Sequence, residues 1–203
     1  MCRGMNMEKL MQNGRAMKFV LAGIGVVVLL LAAGLFAMSA LRDGEASATD
    51  GDAVQVEGLQ VESSAKYAEK LFDCKVEDIN DTAAVAKLLE TMGMEGVTGT
   101  YTVQIAPESE VQVLTLRVEE AVQKIDRETF DGNMTILSQQ LLALIPGVGK
   151  VQWNYSVVSA DAKEESTVVS IDEAGATEEL GKDVRSYGKS PKKLQSLLEK
   201  QAQ

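Results

Sequence analysis

The chain has 203 residues, a quarter of them charged, a net charge of −10 and no histidine. Without imidazole, the Ser-His-Asp and Cys-His nucleophile schemes and the usual zinc sites are excluded. Two cysteines are too few for a disulfide framework or a thiolate-only zinc site.

Residues 1–18 form a basic stub with Arg3, Lys9, Arg15 and Lys18 against a single acid, Glu8. Phe19 to Leu41 follows as 23 residues without charge or proline, interrupted only by the hydroxyl of Ser39. At about 1.5 Å per residue such a helix reaches roughly 35 Å, enough to cross a hydrocarbon core of about 30 Å. The expectation is a single transmembrane helix over 19–41, uncleaved, because a signal peptide's apolar core is shorter. Residues 1–42 carry +4 of the total of −10, which leaves −14 for residues 43–203. Positive charge stays on the cytoplasmic side, so the stub faces inward and the acidic remainder outward. That remainder repels nucleic acid, and its scattered acids read first as a solubilising surface. Cys2 and Cys74 then lie on opposite sides of the membrane and cannot pair within the chain, and Cys74 reads as a buried apolar residue.

Residues 42–64 are rich in Gly, Ala, Ser and acids and read as a flexible linker, with a short strand as an option near Val54 and Val56. Beyond it, residues 65–203 read as one extracytoplasmic α+β domain. Asp81 caps a helix with Val85, Leu88, Leu89 and Met92 on one face, closed by Gly93. Thr100–Ile105 and Val111–Val118 are strands around a Pro107 turn, the second changing phase after Val113 as a bulge or a strand buried on both faces would make it. Met134, Leu137, Leu141, Leu144 and Ile145 mark a second helix, ended before Pro146. Val151, Trp153, Tyr155 and Val157 alternate as a strand, and Thr167–Ile171 follows as another. Two helix-strand-strand units predict a four-stranded antiparallel sheet with helices on one face. Two helices end the chain, the first capped by Thr177, the second by Ser190 with Pro191 at its first position.

The closing run LGKDVRSYGKSPKKLQSLLEK, residues 180–200, resembles the end of the domain-of-unknown-function 4825 family. Gly181, Asp183, Arg185, Tyr187, Ser190 and Pro191 stand at the matching places, and ILSQQLLALIPGVGKVQWNY is similar to that family's central helix and strand. The similarity covers roughly Leu71 to Leu198; the family's aromatic-Pro-Tyr entry segment is replaced by Phe72-Asp73-Cys74-Lys75. The resemblance implies a bacterial, membrane-anchored outer domain and supplies neither reaction nor ligand.

Chemistry-bearing candidates are few. Glu119-Glu120, Glu164-Glu165 and Glu178-Glu179 are sequence neighbours that point apart, as surface acids do. Asp73, Glu77, Asp78 and Asp81 offer hard oxygens for calcium but lack EF-hand spacing, and read as a capping loop. Gly147-Val148-Gly149 lacks the Lys-Ser/Thr of a phosphate loop. Trp153 and Tyr155 share a strand face that either lines a ligand groove or belongs to the core. Arg185 and Tyr187 stand in the turn that carries the resemblance, where a fixed arginine either clamps a helix end or binds a carboxylate. The expectation is therefore a non-enzymatic binding or sensing module of the cell envelope with an envelope protein as partner. It has no cofactor and no metal, and Trp153, Tyr155, Arg185 and Tyr187 are its ligand-binding candidates. The alternative is a carboxylate-dependent hydrolase of envelope substrates, which needs two facing acids about 5–9.5 Å apart.

Overall fold

An 18-residue helix, α4 (Arg127–Leu144), connects the second long strand to the third, and that connection decides the topology. A helical return brings the chain back to the end where it started, so the next strand runs parallel to the last. The computed structural model describes residues 27–30, 53–54 and 56–203. Within it β3 (Tyr101–Glu108) and β4 (Val111–Gln123) form an antiparallel hairpin. Strand β5 (Val148–Val158) pairs with β4 in parallel, and β6 (Glu164–Asp172) returns antiparallel to β5. The four-stranded sheet is therefore mixed, which corrects the antiparallel expectation. The two helix-strand-strand units and the helix between them are as expected; what differs is the pairing across that helix, whose return sets β5 parallel to β4.

Two short strands extend this sheet. β1 (Val27–Leu30) lies antiparallel to β3, and β2 (Ala53–Val54) lies parallel to β4 beside Ala121 and Val122. The remainder of 19–41, the stub 1–18 and residues 42–52 and 55 of the linker 42–64 lie outside the described residues. Among the described residues no helix is long and apolar enough to cross a membrane. From Val56 onward the chain is tied to the body. Asn133 of α4 accepts from Leu59 N–H at 2.9 Å and donates to the Glu57 carbonyl at 2.7 Å, so the ordered domain begins before residue 65.

The helices follow local signals. In α1 (Ala65–Phe72), Ser64 accepts from Tyr67 N–H, and Ala68 and Leu71 are buried. This helix has no counterpart among the expected elements, because two buried positions make too narrow a stripe. α2 (Thr82–Thr91) is capped by Asp81, and Gly93 behind it adopts φ 72°. The short α3 (Met94–Thr98) leads into Gly99 at φ 64°, where Glu120 reaches back to accept from Thr100 N–H. α5 (Glu173–Leu180) is capped by Asp172, not by Thr177, whose hydroxyl instead accepts from Val184 N–H. Ser190 caps α6 (Pro191–Gln201), and Leu194, Leu197 and Leu198 are fully buried.

Core and surface alternate along the strands. Tyr101, Val103, Ile105, Leu114, Leu116, Val151, Trp153, Tyr155 and Val157 join the buried residues of the helices in one cluster. The intervening Thr102, Gln104, Thr115, Gln152, Asn154 and Ser156 are half-buried and polar. The phase change after Val113 is burial on both faces: β4 stays in unbroken register with β3, and Val113 and Leu114 are buried on opposite sides, while a separate bulge places Gly149 of β5 opposite the Gln112–Val113 step. A side chain there would press on Val111. A second irregularity, between Arg117 and Ala121, lets β4 gain residues over β5.

The second half of α4 is enclosed on every side, Gln139 to Leu144 being buried. Gln139 and Gln140 spend their amides on Glu179 and Gln201, which lock α5 and α6 to α4. Ser138 Oγ alone among the described buried side-chain polar atoms has no partner. An orphaned buried hydroxyl costs its desolvation, so Ser138→Ala should raise stability by about 1 kcal/mol. Thermal unfolding followed by Trp153 fluorescence checks this; a loss would mean that the hydroxyl has a partner.

Candidate functional site

The sequence-derived candidates fall at two places on α4. Trp153 and Tyr155 lie two residues apart on β5, so both point to the same face, beneath the start of the helix. There Asp131 Oδ1 accepts from the indole Nε1 at 2.9 Å and from the tyrosine hydroxyl at 2.8 Å. Phe130 meets the Tyr155 ring at 4.8 Å between centroids, and Arg127 stands 3.7 Å from the other Asp131 oxygen. Both aromatics are buried, at 1% and 3% exposure, so their polar atoms serve the core.

Arg185 and Tyr187 lie at the other end of α4, in a 3-10 turn, Val184–Lys189, which Asp183 starts by accepting from Arg185 N–H. Every helix leaves its last carbonyls without intrahelical donors. Here the deficit is larger, because the donor for the Leu142 carbonyl would come from residue 146, and Pro146 has no N–H. The Arg185 guanidinium takes that place. Nη1 donates to the Leu142 and Ile145 carbonyls, the latter at 2.9 Å, and Nη2 donates to Val148 O. Nε donates to Glu173 Oε2 at 3.0 Å. The arginine thus clamps a helix end, and the carboxylate it pairs with is the chain's own Glu173. Tyr187 is buried beside it with Lys182 Nζ 4.8 Å above the ring, and the Gly188 backbone presses on the Ala143 carbonyl.

Asp131 and Leu142 are eleven residues apart on one helix, roughly 16 Å at helical rise. The structure therefore does not bring the four candidates into one pocket. A cleft of about 370 Å³ at the β3–β4 turn end is lined by Glu108, Lys150, Asp172 and Glu173. Each of its acids is engaged: Glu108 with Lys150, Asp172 with Gly175 N–H, Glu173 with Arg185. Two smaller clefts, of about 350 and 260 Å³, flank the 56–62 segment.

The acidic loop offers no joint ligand set. Asp81 caps α2, Lys75 pairs with Glu77 at 2.8 Å, and two bonds from Asn80 hold Asp78 below the usual carboxylate range. Among the described residues no three His, Cys, Asp or Glu side chains are placed to hold a metal ion. Glu120 and Glu179 are bonded to Thr100 N–H and Gln139, while Glu164 and Glu165 are exposed. Cys74 is buried and free, its sulfur 3.5 Å from Thr91 Oγ1.

What remains unspent is the other face of the sheet. The register aligns Gln104, Thr115, Gln152 and Ser170 in one row and Thr102, Arg117, Asn154 and Val168 in the next. Among the described residues these amides, hydroxyls and one guanidinium form a half-buried to exposed polar surface, with Val168 60% exposed. The sequence signalled this face as the polar half of each alternation. It gave no signal for Asp131, whose role appears only when helix and strand are stacked.

Burial drives Tyr155 upward, helped by its bond to Asp131; burial and then Glu62 raise Tyr67. Burial, with the charges of Glu95 and Glu90, pushes Tyr101 up to about 12. Below the ordinary value of 10.0 both folded and unfolded chains hold these protons. Above it the unfolded chain ionises first, so stability falls as pH rises through the folded values. Alkaline titration should show tyrosinate absorbance rising together with loss of native Trp153 fluorescence. Complete ionisation of Tyr67, Tyr101 and Tyr155 by about pH 12 with fluorescence intact would contradict this packing.

No family model, curated protein or solved structure matches this chain.

Proposed function

We propose that the protein is a binding or sensing module held at a cell membrane by residues 19–41, with its stub in the cytoplasm and its α+β body outside. The observation that carries the binding half is the polar sheet face, whose amides, hydroxyls and Arg117 stand half-buried or exposed among the described residues while the opposite face joins the core. The last helix is spent on the core through Leu194, Leu197 and Leu198, which leaves the sheet as the recognition surface. The membrane half rests on the uncharged 23-residue run and its flanking charges. Val27–Leu30 lies within that run and beside β3. In hydrocarbon, where a short strand has no water to complete its pairing, the self-satisfied helix is favoured.

A photo-crosslinking residue at Gln152, at the centre of the polar face, tests the proposal in intact cells against a control at Lys192 on α6. A discrete protein adduct at Gln152 alone supports it. Identical adducts at both positions, or lipid and solvent adducts only, would remove it.

A further inference from the structure

Of the two long edges of the sheet, only one is guarded. β3 carries Pro107, which supplies no N–H to a further strand. At the opposite end β6 runs nine residues in unbroken register with β5, and no described strand lies beyond it. It contains no proline, no lysine and no bulge, the devices that keep edges from pairing. Its residues from Glu164 to Ser170 are exposed or half-buried. The centre, Ser166–Ser170, is uncharged and rich in β-branched residues, and Glu164, Glu165 and Asp172 flank it. Such an edge is a template for one more strand.

Charge decides which strand fits. A second copy paired antiparallel about Val168 would set Glu164 against Asp172 at both ends, and parallel pairing would stack Glu164 on Glu164. Like charges directly opposite are destabilising. The chain's own acidic segment 43–52 meets the same repulsion. The geometry points to the β6 edge as a strand-addition site for an extended segment of another protein, with an uncharged β-branched centre and Lys or Arg at both flanks. This rests on the binding-module reading and names the edge and the partner chemistry. Main-chain pairing along Ser166–Ser170 supplies affinity, and the flanking cations meet Glu164, Glu165 and Asp172 to set register and selectivity.

The test uses the full chain in mild detergent and three synthetic peptides. The first alternates threonine and valine between paired lysines; the second carries glutamates at the flanks; the third has a central proline. The lysine-flanked peptide should bind and perturb the Ser166–Ser170 amide resonances, and the other two should bind at least about tenfold more weakly. Val168→Lys combined with Ser170→Lys, with Trp153 fluorescence unchanged, should abolish binding. Glu164→Lys with Glu165→Lys should shift preference to the glutamate-flanked peptide. Equal binding of all three peptides, or binding that survives the edge lysines, would overturn the inference. No peptide binding alongside a specific Gln152 adduct would overturn the edge site while leaving the module reading in place; loss of both would remove both.

Discussion

Replacing Gly188 by alanine should destabilise the domain more than any other single-methyl addition described here. Gly188 lies where the 3-10 turn crosses the end of α4, and an added Cβ would fall on the Ala143 carbonyl oxygen and 2.8 Å from its carbon. Both partners are backbone, one inside an enclosed helix, so no flexible side chain can yield. Overpacking of this kind costs about 3 kcal/mol, a large part of the ordinary stability of a domain. The thermal midpoint should fall by about 10 °C for a chain of this size. Gly96→Ala is the matched control, because nothing lies within 4 Å of that position and its φ is not positive. Trp153, the only tryptophan and 1% exposed, reports both transitions. Equal midpoints for the two variants would mean that the turn does not seat on the helix as described.

Removing the Arg185 fork should have the next largest effect. Arg185→Ala strips donors from the carbonyls of Leu142, Ile145 and Val148 and leaves Glu173 without its cation. Pro146 prevents the helix from repairing itself, so the expected loss is about 3 kcal/mol. Arg185→Lys should recover less than half of it, since an ammonium cannot span three carbonyls set around a planar fork. Glu173→Gln separates the ion pair from the clamp. Glu173 is about half exposed, and such pairs contribute at most about 1 kcal/mol. Full rescue by lysine, or equal losses for Arg185→Ala and Glu173→Gln, would assign the stabilisation to the ion pair instead.

These two positions also mark what sequence could and could not reveal. Elements written in neighbouring residues were legible: α2 between Asp81 and Gly93, α6 from Ser190-Pro191, and the alternation through Trp153 and Tyr155. The polar surface was legible too, as the other half of that alternation. Strand direction was not, because the β4–β5 pairing is made by residues more than thirty apart and its sense is set by the α4 return. The phase change in β4 was visible, and it marks a strand buried on both faces at Val113 and Leu114; the bulge at Gly149 of β5 left no such mark, and only pairing locates it. Arg185 carried a clear residue type and turn context, and its two possible tasks could be separated only once α4 and Glu173 were placed around it. Asp131 carried no local mark, since its partners come from a distant strand. Gly188 was one glycine among many until the Ala143 carbonyl stood against it.

The account as a whole depends on a body held outside the membrane by residues 19–41. Ser170→Cys tests that most directly, because the residue is exposed on β6 whereas Cys74 is buried and Cys2 stands in the stub that the proposal places inside. A membrane-impermeant thiol reagent applied to intact cells should label the Ser170→Cys protein and leave the unmodified chain unlabelled. Protection of the introduced thiol until the cells are lysed, or labelling of the unmodified chain in intact cells, would contradict it.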